Sequence, residues 1–159
     1  YEAHKEVQLL AVNDLIDAHI NHEQEPDHDE DQFGRYSPLL NACKDDDDSK
    51  VKLLIDYGAN IELKTDDFVT ALNCASFFGH DKCVSLLLGA GADANASNDR
   101  YTAFRYASLH GHSKCVELFL NTGNITEDHR KEALKIAQRK GHIDCVELLY
   151  KRKRWKPNN

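Results

Sequence analysis

Apolar residues recur in phase along the chain at an interval of about 30 residues. A valine opens a Val-x-Leu-Leu or Val-x-Leu-Phe stripe four times, and an alanine lies nine residues before each of these valines. The valines are 33, 32 and 30 residues apart, at Val51, Val84, Val116 and Val146. Within each unit the apolar residues are three or four positions apart, which predicts two short helices, each with one buried face. A single unit cannot cover its own apolar face, so the pattern predicts a stack of units that share one core.

Tight turns separate the predicted helices. Gly-His pairs at 79–80, 111–112 and 141–142 fall between the two helices of a unit. The first unit has Asp46-Asp47 in place of Gly-His, within a run of four acids at 45–48. We interpret this run as negative charge at the positive end of the following helix, in preference to a metal site. A left-handed cap residue is expected after each second helix, where glycine occurs at Gly58, Gly91 and Gly123.

The openings of the units resemble the Thr-Pro-Leu-His motif of ankyrin repeats. They are Ser-Pro-Leu at 37–39, Thr-Ala-Leu at 70–72 and Thr-Ala-Phe at 102–104. The resemblance covers about residues 31–150. It implies an all-α ankyrin-repeat solenoid with about four stacked helix-turn-helix repeats, an N-terminal helical cap and short β-hairpin-like loops.

The chain departs from that motif at several positions. The histidine of the motif is replaced by Leu40, Asn73 or Arg105, which predicts that its hydrogen bond is lost. The hairpin glycine is replaced by Phe68 and Arg100. The fourth unit keeps only Ala-Leu at 133–134 of its opening, and its leading hairpin is shortened.

We interpret the chain as a single domain over 1–159, which the same pattern divides into repeats and terminal segments. Residues 21–32 include six acids, one proline and no apolar residue, so they are expected to form an exposed loop. The predicted boundaries are N-terminal cap helices at 1–21, the acidic loop at 22–32, repeats at 33–64, 65–96 and 97–125, a fourth repeat or C-terminal cap at 126–150, and a basic tail at 151–159.

Repeat solenoids bind partners along an extended concave surface. In ankyrin repeats the hairpin tips and the exposed face of each first helix make the contacts, so the resemblance implies a set of candidate binding positions. Many are aromatic or arginine, the residue types enriched at interface anchors, although Phe77 and Tyr101 can instead pack against neighbouring repeats. The candidates are Arg35, Tyr36, Asp67, Phe68, Val69, Asn73, Phe77, Arg100, Tyr101, Arg105, Leu109 and His110.

A His-x-x-Cys pattern occurs at 80–83, 112–115 and 142–145 and resembles half of a zinc site. Zinc needs about four ligands around one point, whereas equivalent positions of packed helices lie about 8–10 Å apart. We therefore expect no metal, with the histidines fixing the turns and the cysteines in the core. No oxyanion pocket, orienting third residue or glycine-rich phosphate loop accompanies them, so neither a cofactor nor catalysis is expected.

A basic cluster of Lys151, Arg152, Lys153 and Arg154 follows the last apolar stripe. Its cations can complement the negative end of the final helix, which is the favoured interpretation. They can also serve as a nuclear-import signal, or contact nucleic acid or anionic lipid. The net charge of −7 is unevenly distributed, with −10 over residues 1–50, −4 over 51–99 and +7 over 100–159. Such asymmetry bears on partners rather than on the fold.

Together these patterns predict a non-catalytic module that binds a protein partner. No apolar run is long enough to span a membrane, and the five cysteines do not form a disulfide framework. We therefore expect an intracellular monomer, cytoplasmic or nuclear, that binds a protein rather than a small molecule or nucleic acid. Two alternatives keep the fold: the substrate-recruiting domain of a larger enzyme, or a small inhibitor of a cell-cycle kinase.

Overall fold

The computed structural model describes residues 37–66, 68–97 and 101–151. Over those ranges the chain forms eight α-helices, which follow one another as four pairs. The predicted N-terminal cap, the acidic loop and residues 152–159 of the basic tail lie outside the described residues. The pairs are α1 (Pro38–Lys44) with α2 (Asp48–Asp56), α3 (Ala71–Phe78) with α4 (Asp81–Gly89), α5 (Ala103–Leu109) with α6 (Ser113–Thr122), and α7 (Glu127–Lys140) with α8 (Ile143–Lys151).

The helices form two layers. The first helices α1, α3, α5 and α7 pack in that order, and the second helices α2, α4, α6 and α8 pack beside them in the same order. We call these the first-helix layer and the second-helix layer. Because each helix contacts its own partner and the equivalent helix of the next pair, the arrangement confirms the predicted solenoid.

The recurring small and apolar residues form the core between the layers. The alanine of each unit is almost fully buried, and so are the valines of the first three units. The fourth valine, Val146, is partly buried. The cysteines at 83, 115 and 145 have no exposed surface, as expected for core positions. The core is therefore continuous from α1 to α8.

Each first helix begins at a hydroxyl cap. The side chains of Ser37, Thr70, Thr102 and Thr126 accept the backbone N–H three residues on, at 3.2–3.3 Å. These bonds satisfy N–H groups that have no partner within the helix. At α3 the bonding is reciprocal, because the Oδ1 atom of Asn73 accepts from the Thr70 backbone N–H at 3.0 Å and from its hydroxyl at 2.9 Å. The prediction that the motif's hydrogen bond is lost is therefore wrong at Asn73, whose carboxamide replaces the imidazole.

The acidic run at 45–48 begins α2. The carboxylate of Asp47 accepts the backbone N–H of Lys50 at 3.0 Å, and Asp48 lies in the first turn. Asp46 occupies the position of the turn glycine with a positive φ of 56°. The interpretation of this run as charge at the helix N-terminus is confirmed for Asp47 and Asp48, whereas Asp45 is the C-terminal cap of α1.

Two histidines connect successive pairs. Nε2 of His112 lies 2.9 Å from the carbonyl oxygen of Phe77, and Nε2 of His142 lies 2.9 Å from that of Leu109. Both carbonyls are in the last turn of a first helix, where no intrahelical donor is available. The predicted role of these histidines in fixing the turns is confirmed, and each one also joins two repeats.

The fourth pair departs most from its neighbours. Helix α7 has 14 residues where α5 has 7, because it begins at Glu127, just after its cap Thr126, and takes up the chain that a hairpin uses elsewhere. The buried Arg130 in its first turns donates to Glu127 and, at 2.8 Å, to the carbonyl oxygen of Leu149 in α8. The shortened hairpin expected here is thus replaced by a longer helix.

Candidate protein-binding surface

The hairpin tip before α3 presents one large aromatic side chain. The turn closes through the Phe68 N–H to the Thr65 carbonyl at 2.9 Å and the Thr65 N–H to the Val69 carbonyl at 3.0 Å. Phe68 adopts a positive φ of 60°, where glycine is preferred, and is 52% exposed. A bulky residue in this conformation costs roughly 1–2 kcal/mol relative to glycine. An exposed aromatic side chain is therefore kept at the tip at a cost to stability.

An aromatic cluster links the ends of α3 and α5. The ring of Phe77 lies 4.5 Å from that of His110 and 5.7 Å from that of Tyr106, both edge to face. Tyr106 in turn meets the ring of Tyr101 at 5.4 Å. Such edge-to-face pairs contribute about 0.5–1.5 kcal/mol beyond area burial, so these rings hold one another in place.

Arg105 is fixed by contacts on two sides. Its guanidinium carbon lies 4.6 Å from the centroid of the Tyr101 ring. Its Nη1 atom lies 3.3 Å from Oε2 of Glu132, which joins α5 to α7. Arginine stacked on an aromatic ring loses little further freedom when it binds a planar acceptor. The residue is therefore held ready for contact at the boundary of the third and fourth repeats.

A groove of about 580 Å³ lies between α5 and α7. Its α5 side consists of Tyr101, Arg105 and Leu109. The residues on its α7 side are mostly charged. They recur at positions i, i+3, i+4, i+7 and i+8, which places them on one face of the helix. These α7 residues are Glu132, Lys135, Ile136, Arg139 and Lys140. We call this the α5–α7 groove.

Burial lowers the pKa of His110 below its ordinary value of 6.5, and the nearby His112, His142 and Lys140 lower it further. His112 lies in the same turn as His110, Lys140 is the last residue of α7, and His142 lies in the turn between α7 and α8. The imidazole therefore favours its neutral form, which can pack on the Phe77 ring without carrying a charge into the aromatic cluster.

The candidates named from the sequence fall into three groups. Phe68 and His110 are exposed, and Phe77, Tyr101, Arg105 and Leu109 are partly buried at the surface of the first-helix layer. Val69 and Asn73 are only 2% and 1% exposed, so the prediction that they lie on the surface is wrong. Val69 packs in a small core with Leu40 and Cys74, and Asn73 caps α3. Arg35, Tyr36, Asp67 and Arg100 lie outside the described residues, as do Arg152, Lys153 and Arg154.

Sequence reasoning missed the α7 side of the groove. The charged residues at 132, 135, 139 and 140 were not among the candidates named from the sequence. The signal was present, because these charged residues recur three and four positions apart along α7, between the buried positions of Ala133 and Ala137 and beyond them. Lys151, in the last turn of α8, lies 3.6 Å from Glu147 in an exposed ion pair.

The cysteines are free and buried. Burial is the largest cause of a raised pKa at Cys115, to about 12, and at Cys145, to about 11. Burial and a hydrogen bond to Cys83 raise the pKa of Cys43 as well, the bond being the larger cause. These thiols are therefore held protonated and out of contact with solvent. Over the described residues, no group of three or more His, Cys, Asp or Glu is placed to hold a metal ion.

Comparisons with known proteins agree with this architecture. A family model for ankyrin repeats (3 copies) matches residues 3–98 and 92–159. A search of curated proteins gives no match. The human ASB11 ankyrin repeat domain is similar in structure, with a TM-score of 0.67 and 29% sequence identity. The match covers 78% of this chain and 57% of that one, so this chain spans little more than half the length of that domain.

Within the described ranges, no helix is both long enough and apolar enough to cross a membrane. Ankyrin repeats are generally protein-protein interaction modules without catalytic activity. With eight helices in two layers over the described residues, histidine contacts between repeats and a family match over nearly its whole length, the chain belongs to the ankyrin repeat family.

Proposed function

We propose that this chain binds a protein partner through its first-helix layer and hairpin tips, and catalyses no reaction. The observation that carries the proposal is the surface shared by α3, α5 and α7, where ordered aromatic and arginine side chains lie beside the α5–α7 groove. Residues of these types, fixed in place before binding, lose little conformational entropy at an interface. The buried, protonated thiols support the absence of a cysteine nucleophile.

The binding role is tested by affinity capture from cell extract with three forms of the chain. The surface variant replaces Phe77, Tyr101 and Arg105 with Ala. The control variant replaces Lys50, Lys82 and Lys114, which are exposed on the second-helix layer, with Ala. We expect the native chain and the control to retain the same proteins and the surface variant to lose them, while all three keep their helical circular dichroism. Equal capture by the surface variant would contradict the proposal, and a collapse of its helicity would show that these residues are structural.

We also propose an intracellular location, in the cytoplasm or the nucleus, because buried free thiols suit a reducing compartment. The interpretation of Lys151, Arg152, Lys153 and Arg154 as an import signal stays a prediction. Deleting residues 151–156 from a fluorescent fusion is expected to shift it out of the nucleus if that interpretation is right. If microscopy shows an unchanged distribution, the interpretation as an import signal is wrong.

A further inference from the structure

The α5–α7 groove carries a positive charge that the repeats before it in the chain do not share. Arg105, Lys135, Arg139 and Lys140 contribute four cations and Glu132 one anion, which leaves a formal charge of +3. Residues 37–99, which include the first two described repeats, contain 11 acids and 5 bases, for a charge of −6. The groove is therefore a basic site that follows an acidic part of the array.

Two of the α7 cations that line the groove form no ion pair within the described part of the chain. Glu132 is paired with Arg105 on α5. Among the described residues no ion pair involves Lys135 or Arg139. Lys135 and Arg139 are four positions apart, so their side chains lie on successive turns of the same face of α7. They can accordingly bind acidic groups of a ligand that runs along α7.

The groove also has an apolar strip between its charges. Leu109 and Ile136 are both partly buried and line opposite sides of it. Tyr101 adds an aromatic ring at the end nearer the hairpin. A ligand that matches this groove therefore needs an apolar side chain flanked by acids.

We propose that the α5–α7 groove binds an acidic peptide segment of a protein partner, with an aliphatic or aromatic side chain against Leu109 and Ile136. The acidic side chains pair with Lys135 and Arg139, and Arg105 offers its guanidinium beside them. This inference rests on the proposed function and specifies the chemistry of the partner. A nucleic acid fits less well, because it has no aliphatic side chain for Leu109 and Ile136 and the net charge of −6 over residues 37–99 opposes a long polyanion.

The test is fluorescence anisotropy with four labelled probes. The first is the peptide Glu-Asp-Leu-Glu-Glu-Phe-Asp-Glu-Leu, and the second has Lys in place of every acid. The third is Asn-His-Glu-Gln-Glu-Pro-Asp-His-Asp-Glu-Asp-Gln, the chain's own acidic segment at 21–32, which has no apolar side chain. The fourth is an oligonucleotide of twelve thymidines. We expect the first probe to bind tightest and its affinity to fall as salt rises, since exposed ion pairs are screened.

A matched pair of variants localises the binding. Lys135→Gln with Arg139→Gln removes two charges from the groove. Lys114→Gln with Lys131→Gln removes two charges from exposed positions that do not line it. Both variants change the net charge equally, so they alter long-range attraction to a similar extent. We expect the groove variant to weaken binding of the first probe about tenfold, on the scale of two ion pairs, and the control to change it less than about twofold.

Each other outcome overturns a stated part of the inference. Equal losses in the two variants would show that net charge, not the groove, attracts the peptide. If the segment 21–32 binds as tightly as the first probe, the apolar contact contributes nothing to binding. If the oligonucleotide binds more tightly than the first probe, the ligand is a nucleic acid and not a peptide. If none of the probes binds while the native chain still retains proteins that the surface variant loses, the acidic-peptide inference fails and the proposed function stands.

Discussion

At the scale of single residues, two of the three boundaries between the described repeats depend on a histidine that covers a glycine of the preceding turn. An added Cβ at Gly79 would overlap Nδ1 of His112, and one at Gly111 would lie 2.5 Å from Nδ1 of His142. Both glycines also adopt positive φ angles, of 78° and 73°. Glycine is thus required for two separate reasons, the backbone conformation and the space for the ring.

A comparison of Gly111→Ala with Gly141→Ala separates the effect of the positive φ from the effect of the histidine ring. Gly141 has the same place in its repeat and a φ of 76°, but nothing lies within 4 Å of its added Cβ. We expect Gly141→Ala to lower the free energy of unfolding by about 1 kcal/mol, from conformation alone. Gly111→Ala should cost about 1–2 kcal/mol more, since His142 must move off the Leu109 carbonyl. Urea denaturation measures both, and equal losses would show that the ring contact contributes nothing.

Phe68→Gly tests whether the exposed aromatic side chain at the hairpin tip is kept at a cost. Relief of the positive φ favours the variant, while the greater freedom of glycine in the unfolded chain opposes it. We expect a net gain in stability of up to about 1 kcal/mol, measured by urea denaturation. Phe68→Ala keeps the backbone strain without the ring and serves as the control, with no such gain expected. A less stable Phe68→Gly variant would mean that the ring packs on the fold in a stabilising way.

At the scale of elements, the fold was predictable because the same apolar spacing occurs four times. Three repeats in phase leave few other ways to bury those stripes. The predictions that were wrong concern contacts and helix lengths that a repeat motif does not specify. Asn73 lacks the imidazole of the motif, yet its short carboxamide accepts hydrogen bonds from the backbone N–H and the hydroxyl of Thr70. Thr126 with acids in the two following positions is a helix start, and the longer helix takes the place of the shortened hairpin that the motif predicts there.

Arg130 shows how the longer α7 is held to its partner. Its side chain donates to the Leu149 carbonyl near the end of α8 and to Glu127, and it is largely buried. We expect Arg130→Ala to cost about 2–3 kcal/mol, because hydrogen bonds from a charged donor are lost and the Leu149 carbonyl is left without this partner. Lys131→Ala, exposed on the same helix, should cost less than about 0.5 kcal/mol. Thermal unfolding followed by circular dichroism compares them, and similar losses would show that the contact with α8 is not stabilising.

At the scale of the whole molecule, stacking brings together charges that are far apart in the sequence. The α5–α7 groove could not be found from a repeat motif, because its two sides belong to different repeats and three of its four cations lie on α7, outside the motif residues. His110 illustrates the same effect. Its pKa is lowered by burial and then by His112, His142 and Lys140, of which the last two lie about thirty positions further along the chain. No window of local sequence contains that set.

The lowered pKa of His110 predicts the direction in which pH changes the stability of the fold. The pKa of His110 in the folded chain is below the ordinary 6.5, so the unfolded chain binds more protons between those two values. The contribution of His110 to the free energy of unfolding therefore falls as the pH drops below about 6.5, and it stops falling below the folded pKa. We expect an NMR titration to give a pKa below 6.5 for the His110 ring, and Lys140→Gln to raise it. His110→Asn should remove this part of the pH dependence in urea denaturation between pH 5 and pH 7, a range set about the ordinary value. A titration at or above 6.5 in the native chain would mean that the aromatic cluster and the neighbouring repeats do not act on this ring.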